Sequence, residues 1–363
     1  MTSKPHRRWL QFSLKGLMLL VLVVAVPCGW VKWKMVRKAR ERAAVAEIER
    51  VGGQVGYDWD EFEEEAPPGP EWLLNLLGDE FFSSVVSVSL AGCPEITDEW
   101  LVHLEPLAEL STLQIEDTQI TDDGLRYLTR FKKLRAMNLH ATGVTDTGLV
   151  HLKRFPNLIE LYLYRSNLTD AGLVHFSGLT GLKTLDLDGN ALTDAGLVHL
   201  RGLTQLVTLN LNNTAVTDTG LVNLKDLSRL NTLSLSHTAL NDAGLVHLQG
   251  LRRLLTLDLI ATAVSDAGLV HLKELTELET LHLDHTAVTD TGLVNLKGLS
   301  RLKGLTLSNT AVTDAGLVHL SGLTELQSLW VGNTGVTVAG TSDLVNDLPK
   351  CSIVFKMLGR PPR

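Results

Sequence analysis

Histidine is the side chain that most often binds transition metals in proteins. In this 363-residue chain it recurs at a regular spacing. Seven of its histidines are separated by multiples of 24 residues, namely His103, His151, His175, His199, His247, His271 and His319. Two imidazoles on neighbouring units could share an ion such as zinc. Tyr127, Asn223 and Asn295 occupy the same position elsewhere and interrupt the series. We therefore predict a polar ladder on short helices and no metal centre or other cofactor.

A second group of distinctive side chains interrupts columns that are otherwise small and polar, as at Thr184, Thr208, Thr232, Thr256 and Thr280. The first cluster consists of Glu160, Tyr162, Tyr164, Arg165, Asp186 and Asp188, flanked by His140. The second consists of Asp258, His282, Asp284 and His285 beside Ile260, and Trp330 stands near the far end. Because tyrosine, tryptophan and arginine are enriched where interfaces carry binding energy, we predict that these residues bind a partner. Metal binding by His282, Asp284 and His285, and ordinary variation on a solvated sheet, are the alternatives.

Both groups lie on a pattern that returns every 24 residues. A Thr-Asp pair or a close substitute marks the start of each unit, from Thr97 to the degenerate Thr337-Val338. Eleven starts without slippage indicate a stacked repeat architecture.

Each unit predicts one short strand and one short helix. Leu209 and Leu211 alternate with polar residues, as on a strand with one buried face, whereas Leu197, Leu200 and Leu203 have helical spacing. One unit buries these leucines only when a neighbour covers them, so the units must stack.

The polar positions of the unit predict how its helix begins and its strand ends. The Thr of each start becomes only Asn241 or Ser265, and all three types cap helices; the Asp that follows suits the helix dipole. A second column, from Thr118 to Thr334, closes each strand and is predicted to bond the turn backbone from one repeat to the next. The recurring glycines are predicted to permit close helix packing.

This pattern resembles the leucine-rich repeats, in particular the cysteine-containing subclass of F-box-type substrate receptors. The first unit, Leu90 to Asp98, carries the resemblance best, because Cys93 occupies the strand-closing column. The resemblance covers roughly residues 85–355. It implies an α/β fold, a right-handed horseshoe-shaped solenoid that binds a protein on its concave strand face. It also implies an alternative, a substrate receptor in ubiquitin-type degradation.

The N-terminus predicts a membrane anchor. Residues 16–31 are uncharged, Trp9, Trp30 and Trp33 suit the two interfaces, and a basic run follows from Lys32 to Arg42. A cleaved signal peptide is the alternative. Basic residues lie on both sides of the span, so the sequence leaves open which side of the membrane holds the repeats.

The predicted order is a basic tail at 1–11, a transmembrane signal anchor at 12–33, a juxtamembrane helix and acidic neck at 34–70, and an N-terminal cap at 71–84. Leucine-rich repeats follow at 85–336, and 337–363 hold a degenerate last repeat, a C-terminal cap and a tail. This arrangement resembles the membrane-anchored leucine-rich repeat proteins of planctomycete bacteria, a resemblance that implies no chemistry.

Several function classes are disfavoured. The chain has no glycine-rich phosphate loop, nucleophile elbow or credible Cys-His pair, so we predict that it is not an enzyme. Residues 101–363 hold 22 Lys/Arg and 26 Asp/Glu, and this mildly acidic array would repel nucleic acid. A protein partner is the prediction, a glycan is less favoured, and an envelope spacer without a specific ligand is the structural alternative.

Overall fold

The computed structural model describes residues 14–58, 72, 74, 78 and 81–355, without the side chains of residues 14–24 and 27. Its central feature is one sheet of thirteen strands, hydrogen-bonded in chain order. The strands from β2 onward pair in parallel, and β1 pairs with β2 in the antiparallel direction. The repeats therefore stack side by side, as the 24-residue period predicts.

The strands are short because each repeat contributes three residues to the sheet. They are β1 Gln54–Tyr57, β2 Val85–Ser89, β3 Thr112–Gln114, β4 Ala136–Asn138, β5 Glu160–Tyr162, β6 Thr184–Asp186, β7 Thr208–Asn210, β8 Thr232–Ser234, β9 Thr256–Asp258, β10 Thr280–His282, β11 Gly304–Thr306, β12 Ser328–Trp330 and β13 Ser352–Val354.

The α-helices are α1 Leu14–Arg50, α2 Asp122–Leu128, α3 Asp170–Leu173, α4 Asp194–Leu197, α5 Asp218–Leu221, α6 Asp242–Leu245, α7 Asp266–Leu269 and α8 Ser342–Asp347. The 3₁₀-helices are Glu99–Leu104, Gly148–Arg154, Val174–Phe176, Val198–Leu200, Val246–Leu248, Val270–Leu272, Gly292–Leu296 and Asp314–His319. Most repeats thus return to the sheet through one or two helical turns, which is all that the Leu197 to Leu203 spacing requires.

The core is a continuous stack of leucines between the sheet and these helices. Leu209 and Leu211 from β7 and its end meet Leu197, Leu200 and Leu203, and all five are fully buried. Burying a leucine side chain stabilises the fold by about 1.5–3 kcal/mol, and here each repeat depends on its neighbour for that burial.

The N-terminal end of the stack is covered by the last turns of α1 and by β1. Ile48 is fully buried and Ala44 nearly so, and both belong to the same core as the leucines of the repeats. Glu41 accepts the backbone N–H of Val85, and Lys38 pairs with Glu41 at 2.8 Å. This contact joins α1 to the first parallel strand.

Among the residues that the structure describes, no helix is both long enough and apolar enough to cross a membrane. The predicted span at 12–33 falls largely on residues 12–24 and 27, whose side chains lie outside that part of the chain. Residues 59–70 of the predicted acidic neck and half of the predicted cap at 71–84 also fall outside it.

The helix starts follow the sequence prediction and add a link between repeats. The Thr193 hydroxyl accepts the N–H of Ala195, which is the expected cap. Asp170 of the preceding repeat accepts the Thr193 N–H at 2.9 Å and the Thr193 hydroxyl at 2.5 Å. The N–H bond of this pair recurs in every repeat from Asp98 to Asp314, so the aspartates form a ladder along the solenoid.

The recurring glycines make room for this ladder. A Cβ on Gly196 would overlap the Asp170 carboxylate and lie 2.9 Å from Leu173 Cδ1. The glycines therefore permit close packing between repeats, and the group that comes close is a carboxylate.

The strand-closing threonines differ from the prediction. The Thr214 hydroxyl donates to the Leu211 carbonyl of its own repeat at 2.7 Å, and the other threonines of the column repeat this geometry. Two other members of the column do bridge repeats. The Ser166 hydroxyl donates to the Leu139 carbonyl of the preceding repeat at 3.5 Å, and Asn190 accepts from the N–H groups of Ser166 and Leu168 and donates to the Leu163 carbonyl.

Candidate functional site

The solvent-facing side of the sheet is built from four columns of side chains. The first and last residues of each three-residue strand form two columns. The residue two places after the strand forms the third, and the next residue along the chain forms the fourth. In β6 and its turn these are Thr184, Asp186, Asp188 and Gly189, between which Leu185 and Leu187 point into the core. We call this surface the concave face, and it carries all of the residues predicted to bind a partner.

The fourth column has an unusual backbone. Its members adopt positive φ even where they are not glycine, including Arg165 at 49° and His285 at 56°. Left-handed backbone costs an L-residue about 1–2 kcal/mol. The same turn recurs along the stack, and it places Arg165 and His285 at the edge of the face, where the chain leaves each strand.

The parallel register brings the first predicted cluster together. Tyr162 on β5 lies beside Asp186 on β6, and Glu160 lies beside Thr184. The Tyr162 hydroxyl donates to Glu160 Oε2 at 3.3 Å. We call Glu160, Tyr162, Tyr164, Arg165, Asp186 and Asp188 the tyrosine site.

Tyr164 is positioned by a histidine of the previous repeat. The rings of His140 and Tyr164 are stacked, with centroids 3.1 Å apart and planes 12° from parallel. His140 Nδ1 donates to the Tyr164 carbonyl at 2.7 Å, which fixes its tautomer. Arg165 lies over Gly189, where a Cβ would come 2.9 Å from Arg165 Cγ. Tyr164 is thus packed on His140, and the stem of Arg165 lies close to Gly189.

Burial perturbs the titration of this site. Loss of solvent raises the pKa of Tyr162, with a further contribution from Glu160, and raises the pKa of Tyr164, helped by Asp117. Both hydroxyls therefore stay protonated and can donate hydrogen bonds. Burial also raises the pKa of Asp186, although Asp186 accepts the Asp188 N–H at 3.0 Å.

The second predicted cluster centres on a chain of hydrogen bonds. The Thr306 hydroxyl donates to Asp284 Oδ2, so its oxygen is free to accept from His282 Nδ1 at 3.3 Å. Asp284 Oδ1 accepts the Ser308 N–H at 2.7 Å. Asp258 on β9 lies next to His282 on β10, and burial raises the pKa of Asp258. Asp284 and Thr306 are nearly inaccessible, with 5% and 4% of their surface exposed.

Trp330 belongs to this second cluster. Thr306 pairs with His282 on one side and with Trp330 on the other, so the three side chains form one row across β10, β11 and β12. At the turn column, Asn309 Nδ2 donates to His285 Nε2 at 3.0 Å. We call Asp258, His282, Asp284, His285, Thr306 and Trp330 the histidine site. Sequence reasoning missed Thr306 because threonine is the commonest residue on this face.

The predicted metal-binding alternatives gain no geometric support. Within the described part of the chain, no three His, Cys, Asp or Glu side chains are grouped so that they could hold an ion. The histidine ladder is half-buried on the helical side, and its members make local contacts, such as His271 with Gln249 at 2.9 Å and His103 against Trp100. The Asn223 amide at this position donates to the Gly220 carbonyl.

Comparison with known proteins agrees with this geometry. Two leucine-rich repeat family models match the chain, one at residues 132–192 and 156–216 and the other at 274–297. No curated protein matches the sequence. An internalin from Listeria monocytogenes superposes with a TM-score of 0.57 at 20% identity, over 76% of this chain and 87% of that one. An internalin C2 from the same organism gives a TM-score of 0.42 at 26% identity, over 62% and 81%.

Proposed function

Since the chain folds as an internalin-like leucine-rich repeat solenoid, we propose that it is a non-catalytic module that binds a protein partner on its concave face. The observation that carries this proposal is the grouping of aromatic, basic and acidic side chains at two places on a sheet that otherwise presents small polar residues. A fold alone assigns no function, so the proposal rests on those two sites.

The two sites have the composition and the separation of one interface. Tyr162, Tyr164 and Arg165 at one end and Trp330 at the other are the types that dominate binding energy. The five strand spacings from β5 to β10 amount to about 24 Å, and the seven spacings to Trp330 on β12 amount to about 34 Å, at ~4.8 Å each. A partner surface of ~800 Å², typical of specific complexes, is roughly 28 Å across, so it would reach from the tyrosine site to His282, and an elongated surface would also cover Trp330.

The test compares three forms of the full chain as bait: the wild type, the triple variant Tyr162→Ala/Tyr164→Ala/Arg165→Ala, and a control Arg201→Ala, an exposed arginine off the concave face. Circular dichroism melts first establish that all three fold. We expect one protein to be captured stoichiometrically by wild type and control and at least tenfold less by the triple variant. Equal capture by all three forms, or capture by none, would contradict the proposal and favour an envelope spacer without a specific ligand.

The identity of the captured protein separates the finer alternatives. A component of a ubiquitin-type ligase would favour the degradation-receptor role implied by the resemblance of the first repeat. Loss of capture after enzymatic deglycosylation of the partner would assign the contact to a glycan.

We also propose that residues 12–33 attach the chain to a membrane. The uncharged run at 16–31 supports this, as do the half-exposed Trp30 and Trp33 at 53% and 57%. Extraction of the chain from membranes by alkaline carbonate would contradict it. Protease cleavage of the repeats in intact cells would place them outside, and protection until lysis would place them in the cytoplasm or a sealed envelope space.

A further inference from the structure

We propose that the segment of the partner seated on the concave face is cationic, rich in lysine or arginine. This inference rests on the proposed function and names the chemistry that the face recognises. Charge complementarity between the face and the segment is its basis.

The concave face collects negative charge far beyond the average of the repeats. Its four columns hold seven carboxylates, which are Glu116, Asp117, Glu160, Asp186, Asp188, Asp258 and Asp284. They hold one guanidinium, that of Arg165, whereas the other lysines and arginines of residues 85–355 lie outside these columns. Arg135, Lys183 and Lys303 come nearest, one residue before their strands, and Lys303 is paired with Glu279 at 2.9 Å.

No lysine or arginine of the described chain forms an ion pair with a carboxylate of the face, and the ionisable groups beside them are histidines, such as His282 next to Asp258. The ion pairs there join residues of the helical side and the strand entrances, such as Arg301 with Glu277 and Lys133 with Glu109, and include none of the seven. Asp284 accepts hydrogen bonds from Thr306 and Ser308, and Asp188 accepts one from Asn213 at 2.8 Å, so the groups that hold these two carboxylates are neutral donors. A cation from outside would find these charges uncompensated.

The tyrosine site offers a binding position for such a cation. Tyr162 lies between Glu160 on its own strand and Asp186 on the next, so an aromatic face is flanked by two carboxylates. An ammonium or guanidinium over a tyrosine ring gains cation–π attraction and pairs with a carboxylate at once. Burial raises the pKa of Asp186, which shows that its charge is partly desolvated and would be stabilised by an incoming cation.

The test uses fluorescence anisotropy of labelled octalysine and octaglutamate peptides with the full chain in detergent at ~50 mM salt. We expect octalysine to bind and octaglutamate not to bind. Asp186→Asn/Asp188→Asn should weaken octalysine binding about tenfold. The control Asp226→Asn/Glu325→Gln changes the net charge equally, at exposed positions off the face, and should change the Kd less than twofold. At ~300 mM salt, screening should weaken the wild-type interaction strongly.

Equal weakening by the two double variants would overturn the inference, because it would show a response to net charge alone. Preference for octaglutamate would overturn it as well and assign the face to an acidic partner through Arg165. If octalysine binding depends on Asp186 but no protein is captured by the wild-type bait, the cationic preference stands and the proposed function fails. If the native partner is captured through Tyr162 while octalysine ignores Asp186, the function stands and the inference fails.

Discussion

The aspartate ladder makes a quantitative prediction at Gly196, the third residue of α4. In Gly196→Ala the new methyl group would overlap Asp170 Oδ1 and lie 2.9 Å from Leu173 Cδ1. The leucine methyl can turn aside, but the carboxylate is held by two bonds from Thr193. We therefore expect the substitution to expel Asp170 from its position.

The size of the effect follows from those bonds. Each hydrogen bond to a charged acceptor contributes about 1.5–3 kcal/mol, and the lower end applies because Asp170 is half-exposed. Losing both costs about 3 kcal/mol, and replacing glycine by alanine in a helix returns about 1 kcal/mol. The net loss of unfolding free energy should be about 2 kcal/mol.

Urea unfolding followed by circular dichroism measures this loss, and Gly178→Ala is the matched control, because a Cβ there meets no atom within 4 Å. In the background Asp170→Ala, the Gly196→Ala change should cost nothing or stabilise slightly, since the carboxylate is already absent. The reasoning is refuted if Gly196→Ala is as mild as the control, or if its cost is the same with and without Asp170.

Three further predictions concern stability. Asn241→Thr should raise the unfolding free energy by about 1 kcal/mol, because Asp218 receives only the Asn241 N–H and a threonine hydroxyl would supply the second bond found in other repeats; an unchanged urea midpoint would contradict this. Ala261→Gly should add about 0.5 kcal/mol in the same assay by relieving the φ of 54°, and a loss of stability would show that this turn is not strained. Burial raises the pKa of Asp186, so its contribution to stability is present below the unfolded pKa and is lost as pH rises through the folded pKa. Asp186→Asn should therefore raise the melting temperature more at pH 7 than at pH 4. An equal increase at the two pH values would refute the assignment.

Stability and binding should consequently conflict at Asp186. The same Asp186→Asn change that stabilises the neutral-pH fold removes a carboxylate from the tyrosine site. Such opposition is expected of a residue retained for recognition, because a partly buried charge without a counter-ion costs folding free energy. The aspartates of the ladder show the opposite pKa shift. Burial disfavours the charge of Asp194, but hydrogen bonds from Thr217 and Thr219 outweigh this effect and lower the pKa of Asp194. The stability that Asp194 contributes is therefore lost as pH falls through its folded pKa.

The repeat architecture follows from the amino-acid sequence alone. The 24-residue period, the leucine spacing and the Thr, Asn and Ser at each start are local features, and each follows from how one strand and one helical turn bury or cap their own atoms. The strands and helix starts lie where these features predict them, as at β7 and the cap at Thr193. The columns to which Tyr162, Asp186 and His282 belong were predictable for the same reason, since alternation along a strand fixes which side chains leave the core.

Which of those side chains meet depends on how the repeats are stacked. Whether Trp330 stands alone or joins His282 depends on the lateral register of β10, β11 and β12, and the link is Thr306, which sequence alone cannot distinguish from other threonines. The contact of Asp170 also depends on stacking. Within its own repeat Asp170 is a residue of a helical turn, and only the next repeat brings Gly196 against it. Contacts between residues 22 to 26 positions apart arise only when one repeat is laid on the next, because the distance between their atoms is set by the packing of two units and not by the chain that joins them.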